Sequence, residues 1–208
     1  MDAKATNIQN RPKPLCLLQN LGKTLIFALL MSELITIKDK QFKPFISVSK
    51  INEAVKRVSG QINEELANEF PLFLVVLNGS FMFAADLLRE VSIPCEISFV
   101  KMASYHGTQS TGKVNELIGV KENLENRTVV IVEDIVDSGN TMEKMLDVLK
   151  DKKVKQIKIA TALYKPDAFK KNFAIDYVGM NIGNDFVVGY GLDYDGMGRN
   201  LKEIYVLA

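Results

Sequence analysis

The chain is poor in the side chains that carry much of familiar enzyme chemistry: it has 1 His, 2 Cys and no Trp. A lone histidine leaves little from which to build a Ser-His-Asp constellation or a histidine zinc site. His106 stands in a polar, glycine-flanked stretch and reads as an incidental loop residue. Cys16 and Cys95 have neither metal-ligand spacing nor the density of a disulfide framework, which points to a reducing, cytoplasmic setting. Charge of one sign is also missing. With 26 Lys+Arg against 25 Asp+Glu, the net charge of +1 lacks the basic excess of a dedicated nucleic-acid binder, while leaving room for local phosphate sites. Long apolar runs are absent as well. Leu25-Ile26-Phe27-Ala28-Leu29-Leu30-Met31 falls far short of the roughly 20 residues needed to span a bilayer, and no clear small-x-small cleavage site follows it.

What remains is a chain of 208 residues, 47% hydrophobic, with the length and composition of one globular domain and a small subdomain. Residues 1–34 read as an N-terminal extension of uncertain role, with Met31 as an alternative start, and 35–208 as the domain proper. Within the extension, Leu21-Gly22-Lys23-Thr24 has the end of a P-loop but not its first glycine, because position 17 is leucine. The sequons at Asn78-Gly79-Ser80 and Asn126-Arg127-Thr128 adjoin apolar strand-like runs and are treated as chance matches.

From residue 49 the pattern becomes regular. Ile51, Val55, Val58, Ile62 and Leu66 recur at helical spacing, which predicts a helix over 49–70 capped by Ser49 and ended by Pro71. Leu72-Phe73-Leu74-Val75-Val76-Leu77 is a continuous apolar run suited to a strand buried on both faces. Further strands are expected at 96–102, 128–132 and 156–163, with shorter ones at 175–180, 186–189 and 203–207. Helices are expected at 81–91 and 141–150, and an exposed loop at 104–113. Strands alternating with helices predict an α/β fold: a mostly parallel twisted sheet flanked by helices. Ligands of such folds collect at the carboxyl ends of the strands. Asn78-Gly79-Ser80, the loop from Ser104, the stretch 133–141 and Lys165 all arrive there.

One stretch carries more chemistry than the others. Val129 to Val132 are apolar; Glu133-Asp134 follow, then two apolar residues, then Asp137-Ser138-Gly139-Asn140-Thr141 and a helix. Gly139 permits a tight turn of positive φ, and successive N–H groups at a turn and helix start form an anion nest to which Ser138 and Thr141 add hydroxyls. The turn lacks the lysine and spacing of a Walker A loop. Two adjacent carboxylates would repel a bare phosphate, and make sense if they hold ribose hydroxyls, a hard cation or both. The bland alternative is an N-cap at Asp137 preceded by solvated acids. The ordered combination of apolar strand, acid pair, Asp-Ser-Gly-x-Thr and helix favours the ligand site.

Residues 129–142 closely resemble the signature with which phosphoribosyltransferases bind 5-phosphoribosyl 1-pyrophosphate (PRPP), most of all the version in the hypoxanthine-guanine members. Other segments resemble the same family in the same order, from residue 35 to 208. The resemblance implies the type I phosphoribosyltransferase fold with a small hood subdomain. It implies a pyrophosphate turn at Asn78-Gly79-Ser80, often built on a cis non-proline peptide. Many members have lysine where Asn78 stands, so here backbone N–H groups would carry that role. It also implies a lid at Ser104 and Tyr105, PRPP contacts from Glu133, Asp134 and 137–141, and a lysine, Lys165, on the purine 6-oxo group. Phe186 would stack on the base, the Val187 backbone would read its edge, Asp193 would lie near the exocyclic group and a second metal, and Arg199 would grip pyrophosphate. The implied metal is Mg2+, with Glu133, Asp134 and Asp193 beside it, and the implied proton acceptor is Asp137. The expected reaction passes ribose 5-phosphate from PRPP to N9 of hypoxanthine or guanine and releases pyrophosphate, in a cytoplasmic homodimer or homotetramer without nucleic-acid or membrane partners. A xanthine or other-base enzyme, or a non-catalytic PRPP sensor, are the alternatives.

Overall fold

The computed structural model describes residues 34–102, 116–118 and 122–208, with only the backbone of Met102 and of 116–118. The expected lid residues Ser104 and Tyr105, together with His106, Cys16 and the apolar run 25–31, lie outside the described residues. The chain divides into a unit Met1–Ile35 and a larger unit Thr36–Ala208. In order, the elements are β1 (Ile35–Ile37), β2 (Lys40–Ile46), α1 (Val48–Glu65), β3 (Leu72–Leu77), α2 (Phe81–Glu90), β4 (Glu96–Met102) and β5 (Glu116–Ile118). They continue with β6 (Thr128–Val136), α3 (Asn140–Lys150), β7 (Gln156–Tyr164), β8 (Tyr177–Asn181), β9 (Val187–Val188) and β10 (Ile204–Leu207).

The main sheet has six strands in the order β5-β4-β3-β6-β7-β8. All neighbours are parallel except β5, which runs antiparallel on the edge of β4. The apolar runs of β3 and β6 sit at its centre, and their alternate residues feed two separate cores. Phe73, Val75, Val130 and Val132 pack with Val55, Val58 and Ile62 of α1 and Phe83 and Leu87 of α2. Leu72, Leu74, Val129 and Ile131 pack with Met142, Met145 and Leu149 of α3. The parallel sheet flanked by helices is the fold expected from the sequence. No helix among the described residues is long and apolar enough to cross a membrane.

The second sheet, ordered β1-β2-β10-β9, forms the small subdomain, with β10 antiparallel to both neighbours. Its β1 and β2 were not expected from the sequence. Pro44 interrupts the strand signal of β2, and the structure tolerates it opposite Tyr205, where the β10 register shifts.

Several boundaries move. The first helix begins at Val48 behind Ser47, and Ser49 does not cap it: the Ser49 hydroxyl donates to Glu53 Oε1 at 3.1 Å. That helix ends at Glu65, ahead of Pro71, because the chain turns at once to bury Leu66 and bring the Glu69 N–H onto the Leu66 carbonyl at 2.9 Å. More consequential for the site, β6 does not stop at Val132. It continues through Glu133, Asp134 and Ile135 to Val136, with Glu133 opposite Thr161 and Ile135 opposite Leu163 on β7. The acid pair is therefore part of the sheet, and the N-cap position of the next helix is Gly139, not Asp137.

Candidate active site

Because β6 continues, Glu133 and Asp134 inherit the alternation of the strand. Asp134 is in step with Val130 and Val132, on the face that carries α2, and its carboxylate lies against Gly79, where any Cβ would overlap it. Glu133 is in step with Val129 and Ile131 and is buried, 7% exposed. Its Oε1 accepts the Asp134 N–H at 3.3 Å, while Oε2 is buried with no hydrogen-bond partner. Burial, reinforced by the neighbouring Asp134 charge, pushes the Glu133 carboxyl well above the usual carboxylate range. Burial raises Asp134 too, opposed by its hydrogen bonds to Glu133 and to the Ile135 N–H, and by the Arg199 charge. Two acids thus sit side by side with one acceptor oxygen unsatisfied, an arrangement that a hydroxyl donor or a hard cation would complete.

Downstream the strand opens into the turn. Residues 133–142 line a cavity of about 250 Å³. Asp137, Asn140 and Thr141 are exposed there, and Ser138 is half-buried. Gly139 has φ +83, as its place in the turn requires, and a Cβ there would come within 2.7 Å of the Phe169 ring. Its carbonyl accepts the Glu143 N–H at 2.9 Å, so α3 starts at the turn and presents its positive end to the cavity. Lys165 follows β7 and is buried, 8% exposed; its Nζ lies 3.5 Å from Asp137 Oδ2, and its backbone N–H donates to the Val136 carbonyl at 2.9 Å.

The turn 78–80 enters from β3. The Leu77-Asn78 peptide is cis. Asn78 is exposed, while Gly79 and Ser80 are buried. The Ser80 hydroxyl donates to the Val76 carbonyl, so it is occupied within the fold.

A further group belongs to the second sheet. Phe186 is 44% exposed, meets Tyr194 edge-on at 5.9 Å and approaches Phe42 at 6.3 Å. Val187 is buried opposite Val206. Lys40, Phe186, Asp193 and Tyr194 help line a second cavity of about 500 Å³. Asp193 is held through both carboxylate oxygens: Oδ1 by Arg199 Nη2 at 2.6 Å and Oδ2 by the Gly196 N–H at 2.6 Å. Arg199 also donates from Nη1 to the Gly191 carbonyl at 2.7 Å. Among the described residues, no three Asp, Glu, His or Cys side chains converge as a metal cluster.

A close contact joins the two groups. A Cβ on Gly191 would overlap the Gly79 carbonyl, so the Arg199-bearing segment rests directly on the turn that Asp134 also touches. The sequence offered only a weak sign of this crossing: glycines at 189 and 191 on either side of a tyrosine. The Asp39 carboxylate that accepts the Tyr194 hydroxyl at 2.8 Å lies on the unexpected β1–β2 hairpin and had no sequence signal at all.

A family model described as the phosphoribosyl transferase domain matches residues 47–195, which include the whole lining of the first cavity and Phe186, Asp193 and Tyr194 of the second. The chain belongs to this family. Its similarity to individual phosphoribosyltransferases is extensive. It is 38% identical over 166 residues to the hypoxanthine-guanine phosphoribosyltransferase of Streptococcus pneumoniae strain R6, covering 79% of this chain and 92% of that one. Among solved structures, it resembles a hypoxanthine-guanine phosphoribosyltransferase of Bacillus anthracis at TM-score 0.73 and 37% identity, covering 80% of this chain and 96% of that one. A hypoxanthine phosphoribosyltransferase of Staphylococcus aureus aligns at TM-score 0.75 and 32% identity, over 86% and 95% of the two chains.

Proposed function

We propose that this chain is a Mg2+-dependent purine phosphoribosyltransferase of purine salvage, which transfers the 5-phosphoribosyl group of PRPP to N9 of hypoxanthine or guanine and yields IMP or GMP and pyrophosphate. The observation that carries this reading is the pair of buried Glu133 and half-buried Asp134 running directly into the turn 137–141. Hydroxyl-bearing sugar and phosphate are recognised by opposite chemistry, carboxylate acceptors for one and N–H donors for the other, and this stretch supplies them in sequence. The names of the relatives supply the purine.

In this reading Glu133 and Asp134 accept the ribose hydroxyls, and backbone N–H groups of 138–141 with the Ser138 and Thr141 hydroxyls hold the 5-phosphate. The unpartnered Glu133 Oε2 and the adjacent Asp134 fit a hard cation bound together with the sugar. Bound Mg2+ would supply positive charge to the leaving pyrophosphate. Arg199 has two of its N–H donors on Asp193 and Gly191, and the remainder of its five are left for phosphate oxygens. Asn78 and Gly79 face the same leaving group through their backbone. Phe186 stacks on the base, the Val187 backbone reads its edge, and Lys165 donates to the 6-oxo group. Each Asp193 oxygen keeps a lone pair for the exocyclic group or a second cation.

As the C1–pyrophosphate bond breaks and the C1–N9 bond forms, positive charge develops on the sugar and the purine must lose a proton. Asp137 takes it at N7, with Lys165 at its side to balance the carboxylate. The enzyme works in the cytoplasm as a homodimer or homotetramer, which light scattering measures directly. The decisive assay incubates the chain with PRPP and Mg2+ and each of hypoxanthine, guanine, xanthine and adenine. Nucleotide is expected from the first two, and none from any base rejects the proposal.

A further inference from the structure

The sequence Gly189-Tyr190-Gly191 has three consecutive residues of positive φ, at +98, +51 and +99. The outer two are glycines for steric reasons. A Cβ on Gly189 would overlap the Glu203 carbonyl, and one on Gly191 the Gly79 carbonyl. Tyr190, between them, has a side chain in a backbone conformation that L-residues disfavour. Its backbone N–H donates to the Leu201 carbonyl at 2.9 Å. Its ring is buried in the core shared by the two sheets, 7% exposed. Its hydroxyl donates to Asp86 Oδ2 at 2.8 Å, on α2. Burial, then that hydrogen bond, push the phenol further above its ordinary range, so it remains a donor throughout the working pH range.

The location of Asp86 gives this contact its significance. Helix α2 begins one residue after the turn 78–80. The phenol therefore ties the 186–199 segment to the helix that continues the turn, while Gly191 next door touches the turn itself and holds Arg199 through both its carbonyl (2.7 Å) and its N–H (2.9 Å). Among the described residues, Asp86 has one further ion-pair partner, Arg89 at 3.8 Å, exposed on the same helix. Core packing alone would be met by phenylalanine. The hydroxyl adds a directional restraint between two segments assigned to different halves of the substrate pair.

We propose that Tyr190, through its hydrogen bond to Asp86, is a positioning residue that sets the distance between the pyrophosphate turn at 78–80 and the base-reading segment at 186–193. The proposal rests on the phosphoribosyltransferase reading above. Neither residue lines either cavity. Their effect falls on alignment of C1, the leaving group and N9, where a displacement of about 1 Å costs on the order of 10²-fold in rate.

The test uses the full chain with Mg2+, PRPP and hypoxanthine. Tyr190→Phe and Asp86→Ala are each expected to lower kcat by about 10- to 100-fold, with KM for PRPP and for hypoxanthine within about twofold of wild type, as befits a restraint felt mainly in the transition state. Asp86→Asn keeps an acceptor oxygen and is expected to recover most of the loss. The double variant Tyr190→Phe/Asp86→Ala should be no slower than either single variant beyond about twofold, since both remove one interaction. Unchanged kcat in a folded Tyr190→Phe variant overturns the proposal, and so does a fall in melting temperature alone or full additivity in the double variant. A wild-type chain that makes no nucleotide overturns the underlying reading and the restraint with it, whereas an active wild type with unaffected variants overturns the restraint alone.

Discussion

Gly79 has no room for a methyl group. Its missing side chain is what lets the Asp134 carboxylate lie against the turn, and the overlap that a Cβ would create is with the acid itself. Gly79→Ala must therefore displace Asp134, the turn or both. Overpacking of this kind typically costs about 1–3 kcal/mol, so the variant should still fold. Its kcat/KM for PRPP should nevertheless fall by about 10²-fold, because the acid proposed to meet the sugar has moved. Steady-state kinetics beside a circular dichroism melt distinguish this from unfolding. Asp137 presents the opposite case. It is exposed, and its partner in the structure is Lys165 at 3.5 Å. Asp137→Asn should leave the melting temperature almost unmoved while turnover drops by about 10²–10⁴-fold, the usual contribution of a general base. PRPP binding, read by calorimetry, should survive. Near-normal turnover would remove Asp137 from the mechanism.

Helix α1 reaches the sheet through salt links as well as through its apolar face. Glu65, its last residue, accepts Lys158 Nζ at 2.6 Å from β7 and the Tyr177 hydroxyl at 2.8 Å from β8. Glu69, in the turn beyond, accepts Lys155 Nζ at 2.6 Å and the Thr128 hydroxyl at 2.8 Å. The lysine hydrogen bond first, and the hydroxyl second, hold each carboxyl below its ordinary value. A carboxyl lowered by folding binds fewer protons folded than unfolded, so its stabilisation is present above the ordinary value and lost as pH falls through the lowered one. The urea midpoint should accordingly decline as pH falls below about 4.5. The double variant Glu65→Gln/Glu69→Gln should show a shallower decline, and an identical slope would show that these links do not contribute. None of these four partners could be read from the sequence, since each joins segments far apart in the chain. What could be read followed from local order. The apolar runs 72–77 and 128–132 declared buried strands, and Gly139 with its acidic and hydroxyl neighbours declared the turn. The reading failed where a tertiary partner decides: β6 runs on through Glu133 because β7 pairs with it, and β2 accepts Pro44 because β10 shifts register opposite it. The contacts of Gly191 on Gly79 and Tyr190 on Asp86 span more than a hundred residues and left only glycines and an aspartate as their trace.

Both sheets contribute to the proposed site: one carries the acids and the turn 137–141, the other the aromatic end, and Gly79 and Gly191 touch between them. The unliganded protein keeps two carboxyl groups together at the inner edge of this site, each disfavoured as a charge by burial, with one oxygen buried and unsatisfied. Such a site lowers stability in the absence of ligand and recovers it on binding, so function and stability should respond in opposite directions at Glu133. Glu133→Leu removes the unpaired acceptor of a buried carboxyl, and should stabilise the free chain by roughly 1–3 kcal/mol. The same substitution should abolish the response to PRPP. In the wild-type chain, PRPP with Mg2+ at about 100 times its Kd stabilises by about 2.7 kcal/mol. For a chain of this size each kcal/mol moves Tm by about 2–4 °C, so Tm should rise by about 5–11 °C. PRPP without Mg2+ should give a smaller shift, because the leaving group then arrives with its charge unneutralised. Scanning calorimetry of both proteins, each with PRPP, Mg2+, both and neither, reads all of these outcomes together. A Glu133→Leu chain that is less stable alone, or that still gains stability from PRPP and Mg2+, would show that the buried acid is a structural residue and that the sugar is held elsewhere.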